Sequence, residues 1–146
     1  MGVLVAEEVG RQPTLARWTR RFGHYGKMMV QHVDVLTFIL RMVKRNFIDY
    51  IIMDIEGPEY DIIPLIAVEN LFVDNNIAIC QMNVEFHKPP PKERKARYSK
   101  IMYDLVRAGR YGILRHEKPG YQRMFLVNYR EPKCVKKYLD QFFTNS

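Results

Sequence analysis

Several common signatures are missing from this chain, and each absence excludes a class of function. There are only two cysteines, Cys80 within an apolar run and Cys134 near the end, with no CxxC or CxxH spacing. That excludes a disulfide-dense scaffold and a cysteine-built zinc site, and leaves Cys80 expected as a buried, inert thiol. Long hydrophobic runs are also lacking: the stretch at residues 3–6 stops at Glu7 and Glu8, too short for a signal core or a membrane span. Ala6 stands where a myristoylation signal needs Ser or Thr, so no targeting is expected and a cytoplasmic location is the default. The P-loop, the GxGxxG fingerprint, the nucleophile elbow and internal repeats are absent too, which removes the usual sequence grounds for phosphoryl transfer or elbow-type hydrolysis.

What remains is an ordinary core-forming composition. A hydrophobic fraction of 47% over 146 residues supplies one domain's core and argues against disorder. The formal net charge of +7 favours anionic partners in general without selecting one.

Periodicity divides the chain. Residues 1–27, punctuated by Gly10, Pro13, Gly23 and Gly26, read as an irregular segment. Residues 27–33 suit a strand, and Asp34 is placed to cap a helix with Val35, Leu36, Phe38, Ile39, Met42 and Val43 on its apolar stripe. A nearly continuous apolar run at 47–53 reads as a strand buried on both faces. Residues 58–75 have helical spacing, with Pro64 forcing a late start or a kink. A third strand at 77–87 ends at Pro89, Pro90 and Pro91. Residues 92–107 form an amphipathic helix with Tyr98, Ile101, Met102, Leu105 and Val106 inward, stopped by Gly109. Two β-rich runs around Pro119 and Gly120 make a hairpin. The order β-α-β-α-β-α-β-β predicts an α/β fold with a mainly parallel sheet and an antiparallel C-terminal hairpin.

In open α/β sheets ligands sit beyond the carboxyl ends of the strands. Two polar groups fall there. The first is Asp54, Glu56 and Glu59, around Gly57; acidic residues also suit a helix start without any chemistry. The second is Gln81, Asn83, Glu85 and His87, which share one face of the third strand by its alternation. Asp54, Glu56 and His87 are the candidate catalytic residues, His87 as general base, and Asn83 and Glu85 are candidates for substrate contact. An oxygen- and nitrogen-rich cluster of Asp54, Asn83, Glu85 and His87 could hold a hard cation, but spacing across two strands cannot show convergence, so no metal is expected. His24, His32 and His116 have no comparable setting. The basic run from Lys88 through Lys92, Arg94, Lys95 and Arg97 to Lys100 reads as a solvated helix face before it reads as a nucleic-acid stripe.

The segment at residues 48–59, an apolar strand ending in Asp54-Ile55-Glu56-Gly57-Pro58-Glu59, resembles the signature of FkbM-type methyltransferases. Residues 33–39 are similar to that family's helix before the signature, residues 79–87, 125–129 and 134–138 look like a nematode-type branch of the family, and the resemblance runs over about residues 28–140. It implies a Rossmann-like class I methyltransferase sheet with an antiparallel last strand and S-adenosylmethionine as cofactor. It also implies O-methyl transfer to a small molecule or glycan, with Asp54 and Glu56 at the strand-end site. The glycine loop and ribose-gripping acid of such enzymes have no counterpart before Met28. The expectation is therefore a half-domain over 28–140, with 1–27 irregular and 141–146 a tail, and the alternative is a non-catalytic truncated paralogue or interaction module. Losing the first strands would expose a sheet edge near residues 28–33 and invite self-association.

Overall fold

The computed structural model describes residues 3–4, 14–21, 24–30, 33–55, 57–87, 94–117 and 122–143. The chain runs through β1 (Val3–Leu4), β2 (Thr14–Arg21), β3 (His24–Val30), α1 (Val35–Thr37) and a π-helical turn (Phe38–Val43). It continues through β4 (Phe47–Met53), α2 (Glu59–Ala67), α3 (Leu71–Asp74), β5 (Ala78–Phe86) and α4 (Arg94–Ala108). It closes with β6 (Tyr111–Glu117), β7 (Gln122–Asn128), α5 (Pro132–Tyr138) and α6 (Asp140–Phe143). The last of these includes residues expected to be a tail.

Five strands form a sheet in the order β1-β4-β5-β7-β6, while β2 and β3 form a separate two-stranded ribbon. β4 pairs parallel with β1 and β5, whereas β7 pairs antiparallel with β5 and β6. The sheet is thus α/β but mixed, not mainly parallel. The reason is that the hairpin returns β7 to the side of β5, so both of its pairings are antiparallel.

The first thirty residues also differ from expectation. The segment expected to be irregular carries β1, β2 and part of β3. The strand expected at 27–33 ends at Val30 and pairs with β2, from Thr14 opposite Val30 to Arg21 opposite His24. Pairing with a neighbour in sequence closes a far shorter loop than pairing with the main sheet. The place beside β4 is taken by β1, with Val3 opposite Ile51, so residues 24–30 are not the edge of the main sheet.

One sheet face carries the core. Ile51, Met82 and Leu126 stand in register across β4, β5 and β7, as do Met53, Val84 and Met124, and all six are fully buried. Behind them Phe86 meets Tyr60 of α2 and Tyr98 of α4 edge-on, with ring centroids 5.3 and 5.6 Å apart. The opposite face is only partly covered. Tyr50 and Phe125 are half-buried there, 6.1 Å apart, and Ile52 beside them is 43% exposed. The apolar run of β4 is therefore not buried on both sides, as its composition predicts.

Local chemistry accounts for the helix ends. The Asp34 carboxylate accepts from the Thr37 amide at 2.8 Å, the expected N-cap. The helix then winds with Lys44 N–H donating to the Ile39 carbonyl, five residues back. That wider winding turns the chain less per residue, so Val35 and Ile39 are buried while Met42 swings out to 63% exposure. Pro64 sits inside α2, and a break at residues 68–70 separates α2 from α3, so the long helical stretch is two helices. On α4, Ile101 and Leu105 are buried as expected, but Val106 is exposed. Gly109 ends α4 at a φ of +57°, a left-handed conformation that suits glycine.

The two cysteines are not inert thiols. Cys80 of β5 and Cys134 of α5 form a disulfide, both fully buried, with Cα atoms 5.2 Å apart. Fifty-four residues separate them in sequence, and α5 supplies the partner only once it docks on the sheet. Asp49 of β4 fastens the same helix, accepting from the Lys137 ammonium and the Tyr138 hydroxyl. No helix among the described residues is long and apolar enough to cross a membrane.

Candidate active site at the ends of β4 and β5

β4 and β5 run parallel and stop side by side, which delivers Asp54 and the pair Glu85 and His87 to the same end of the sheet. Each of the three offers a ligand atom within 4.8 Å of the others. Asp54 is exposed, whereas Glu85 and His87 are buried to 8% exposure each.

His87 is held on two sides. Its Nδ1 lies 2.7 Å from Glu59 Oε1, and its Nε2 lies 3.3 Å from Asp54 Oδ1. Glu59 opens α2, is completely buried, and also accepts from the Ile55 amide at 3.3 Å. A carboxylate can only accept, and of the two that face the ring Glu59 is the nearer and the buried one, so in a neutral imidazole the proton is assigned to Nδ1, with Nε2 on the side of the exposed Asp54. The other Glu59 oxygen, Oε2, has no hydrogen-bond partner among the described residues. Glu85 is fixed differently: Arg123, opposite it in the β5–β7 register, donates to Oε2 through Nε and approaches it with Nη2, at 2.7 and 2.6 Å.

Of the residues singled out from sequence, Asp54, Glu85 and His87 therefore converge. Asn83 lies one step back on the same face and lines a cavity of about 170 Å³ with Arg115, Arg123, Met124 and Phe125. Glu56 lies outside the described residues. Glu59, seen in the sequence only as one of three nearby carboxylates, turns out to be the anchor of His87. Nothing in the sequence marked it as the buried one, because the first turn of a helix is ordinarily solvated. Arg123 was missed as well. Its register opposite Glu85 follows from the hairpin, so alternation carried back from Phe125 could have found it. In the basic run, Arg97 pairs with Asp61 at 2.5 Å and stacks over the Tyr60 ring, and Lys100 pairs with Asp104.

An α/β sheet whose parallel strands end together in carboxylates and a clamped imidazole is a domain of the kind that binds ligands at its strand ends. The methyltransferase FkbM domain matches residues 4–126. The chain belongs to the FkbM methyltransferase family, and its function is accordingly methyltransferase-like. Comparisons with curated proteins and with solved structures return no match.

The family implies S-adenosylmethionine. Cavities of about 240 and 540 Å³ lie at the amino ends of β4 and β5, around Ile77 and Ala78, opposite the strand-end site. The cavity at Asn83 is smaller than the roughly 300 Å³ at which pockets for ligands of that size begin. Among the described residues the Asn83 cavity alone is too small to hold the methyl donor.

Proposed function

We propose that the chain acts on the acceptor side of an O-methyl transfer to a small molecule or glycan, with Asp54, Glu56 and His87 as its reactive groups and Asn83 and Glu85 contacting the acceptor. The observation that carries this reading is the clamped imidazole. An oxygen acceptor must lose a proton as it takes a methyl group, and His87 presents an Nε2 lone pair that can accept it. Glu59 holds the ring in the tautomer that keeps this lone pair outward and stabilises the imidazolium once it forms. Asp54 then faces a proton on Nε2 at hydrogen-bond range and draws the acceptor toward the strand ends. S-adenosylmethionine, the donor the family implies, supplies the methyl group on a sulfonium.

Two measurements test the proposal. Calorimetric titration of the full chain with S-adenosylmethionine should give heat of binding, and its absence removes catalysis by this chain. Where transfer is detected, Asp54→Asn keeps size and removes the charge, and should lower turnover about tenfold or more while barely moving the melting point. Unchanged turnover would end the catalytic role of Asp54. A second reading, a non-catalytic interaction module, draws on the partly covered sheet face at Tyr50, Ile52 and Phe125. It predicts no heat in the same titration.

A further inference from the structure

The strand-end cluster gathers three carboxylates around one imidazole. Asp54 and Glu59 flank His87, and Arg123 meets Glu85. Glu59 is completely buried, with Oε2 unpartnered among the described residues. Buried carboxylates left uncompensated are costly, and a cation close by offsets that cost.

The geometry points to one divalent cation of the Mn²⁺ and Mg²⁺ class bound by Asp54, Glu85 and His87. The three ligand atoms already lie within 4.8 Å of one another, with His87 Nε2 and Asp54 Oδ1 at 3.3 Å. Bonds of about 2.1 Å to a common centre need only a modest closure, and Asp54, whose side chain is 54% exposed, is free to rotate inward. Two carboxylates and one imidazole form a mixed oxygen and nitrogen set, which suits a hard-to-borderline divalent ion and contains no thiolate to favour a soft one.

The surroundings match what such a site requires. A ligating histidine ordinarily donates its second ring N–H to a carboxylate, which fixes the tautomer and raises ligand basicity. Glu59 occupies that position at 2.7 Å from Nδ1, on a side chain with no solvent contact. Arg123 holds Glu85 in place through Oε2. Three ligands on one side leave the remaining coordination positions open toward solvent, where oxygens of an acceptor would enter.

This inference goes beyond the acceptor-side reading, because cation binding requires neither methyl donor nor acceptor. With the ion bound, Nε2 would be its ligand and could not also take the acceptor's proton; the ion would lower the pKa of a bound hydroxyl, whose proton would pass to solvent.

The test is a titration of the full, disulfide-intact chain with Mn²⁺ alone, reading free aquo-ion by electron paramagnetic resonance. One site per chain is expected. Asp54→Asn should weaken it at least tenfold, since that residue is exposed and its loss spares the core. Glu59→Gln touches no ion, yet it should weaken the site about tenfold or more by releasing His87. Line broadening of the His87 imidazole resonances by substoichiometric Mn²⁺ reads the same site in the unaltered chain. Absence of binding up to millimolar Mn²⁺, an affinity unmoved by Asp54→Asn, or His87 resonances left sharp would each overturn the proposal. Loss of the site would leave methyl transfer by His87 standing. Intact Mn²⁺ binding without heat from S-adenosylmethionine would remove only the transfer reading.

Discussion

Opening the Cys80–Cys134 bridge should cost this domain a large share of its stability. In the chain-entropy account a cross-link restricts the unfolded chain by an amount that grows with the logarithm of the loop it closes. For a separation of 54 residues the same relation gives about 4 kcal/mol at 25 °C. Both cysteines are fully buried between β5 and α5, so the reduced form also leaves two thiols packed against each other with no bond. For a chain of this size about 4 kcal/mol corresponds to a fall in melting temperature of roughly 10 °C. The assay is scanning calorimetry of the unaltered chain with and without reductant, alongside the Cys80→Ala, Cys134→Ala double variant. The reductant arm isolates the bond, and the double variant adds the lost packing of two sulfurs, so it should melt lowest. Equal melting temperatures for the oxidised and reduced chains would refute the reasoning, because the bridge would then constrain nothing the unfolded chain explores.

Gly109→Ala forces a side chain into a left-handed backbone and brings a Cβ to 3.3 Å from the Tyr129 hydroxyl. Urea unfolding should show a loss of about 1–2 kcal/mol, and an unmoved midpoint would contradict the strain argument. The Lys137 ammonium and the Tyr138 hydroxyl hold the Asp49 carboxyl below its ordinary value. A carboxyl depressed in the folded state stabilises the fold fully above its unfolded pKa of about 3.8 and loses that contribution as pH falls through the lower folded value. The melting temperatures of the unaltered chain and of Asp49→Asn should therefore differ at pH 6 and converge on acidification through and below about pH 4. The gap should be small, because both charged partners are about half exposed.

How far the sequence reaches can be judged element by element. Alternation and apolar runs located β4, β5 and the β6–β7 hairpin, because buried strands restrict side-chain type at every second position. The Asp34 cap and the Gly109 stop were legible because their chemistry is local. Met42 was misjudged because its exposure depends on a π-helical turn that a helical period does not encode. The pairing of β3 with β2 and the disulfide depend on which segments meet in space, and neither cysteine carries a local sign of the other. At the site, Asp54, Glu85 and His87 could be found because strand ends are where ligands gather. Glu59 could not, because its burial is decided by the docking of α2 against the ends of β4 and β5.

Arg123 reaches Glu85 only because β7 runs against β5, so the start of one strand lies beside the end of the other. The link between Glu117 and Gln122 therefore acts as a ruler for the charge of the site. Adding or deleting one residue there, if taken up by sliding β7, would turn Arg123 toward the face now lined by Met124 and Leu126 and set an uncharged neighbour opposite Glu85. Hairpin length and site charge are in this way a single variable. Relatives that differ by a residue in that turn should differ in the counter-charge of their strand-end carboxylate while keeping the same signature on β4.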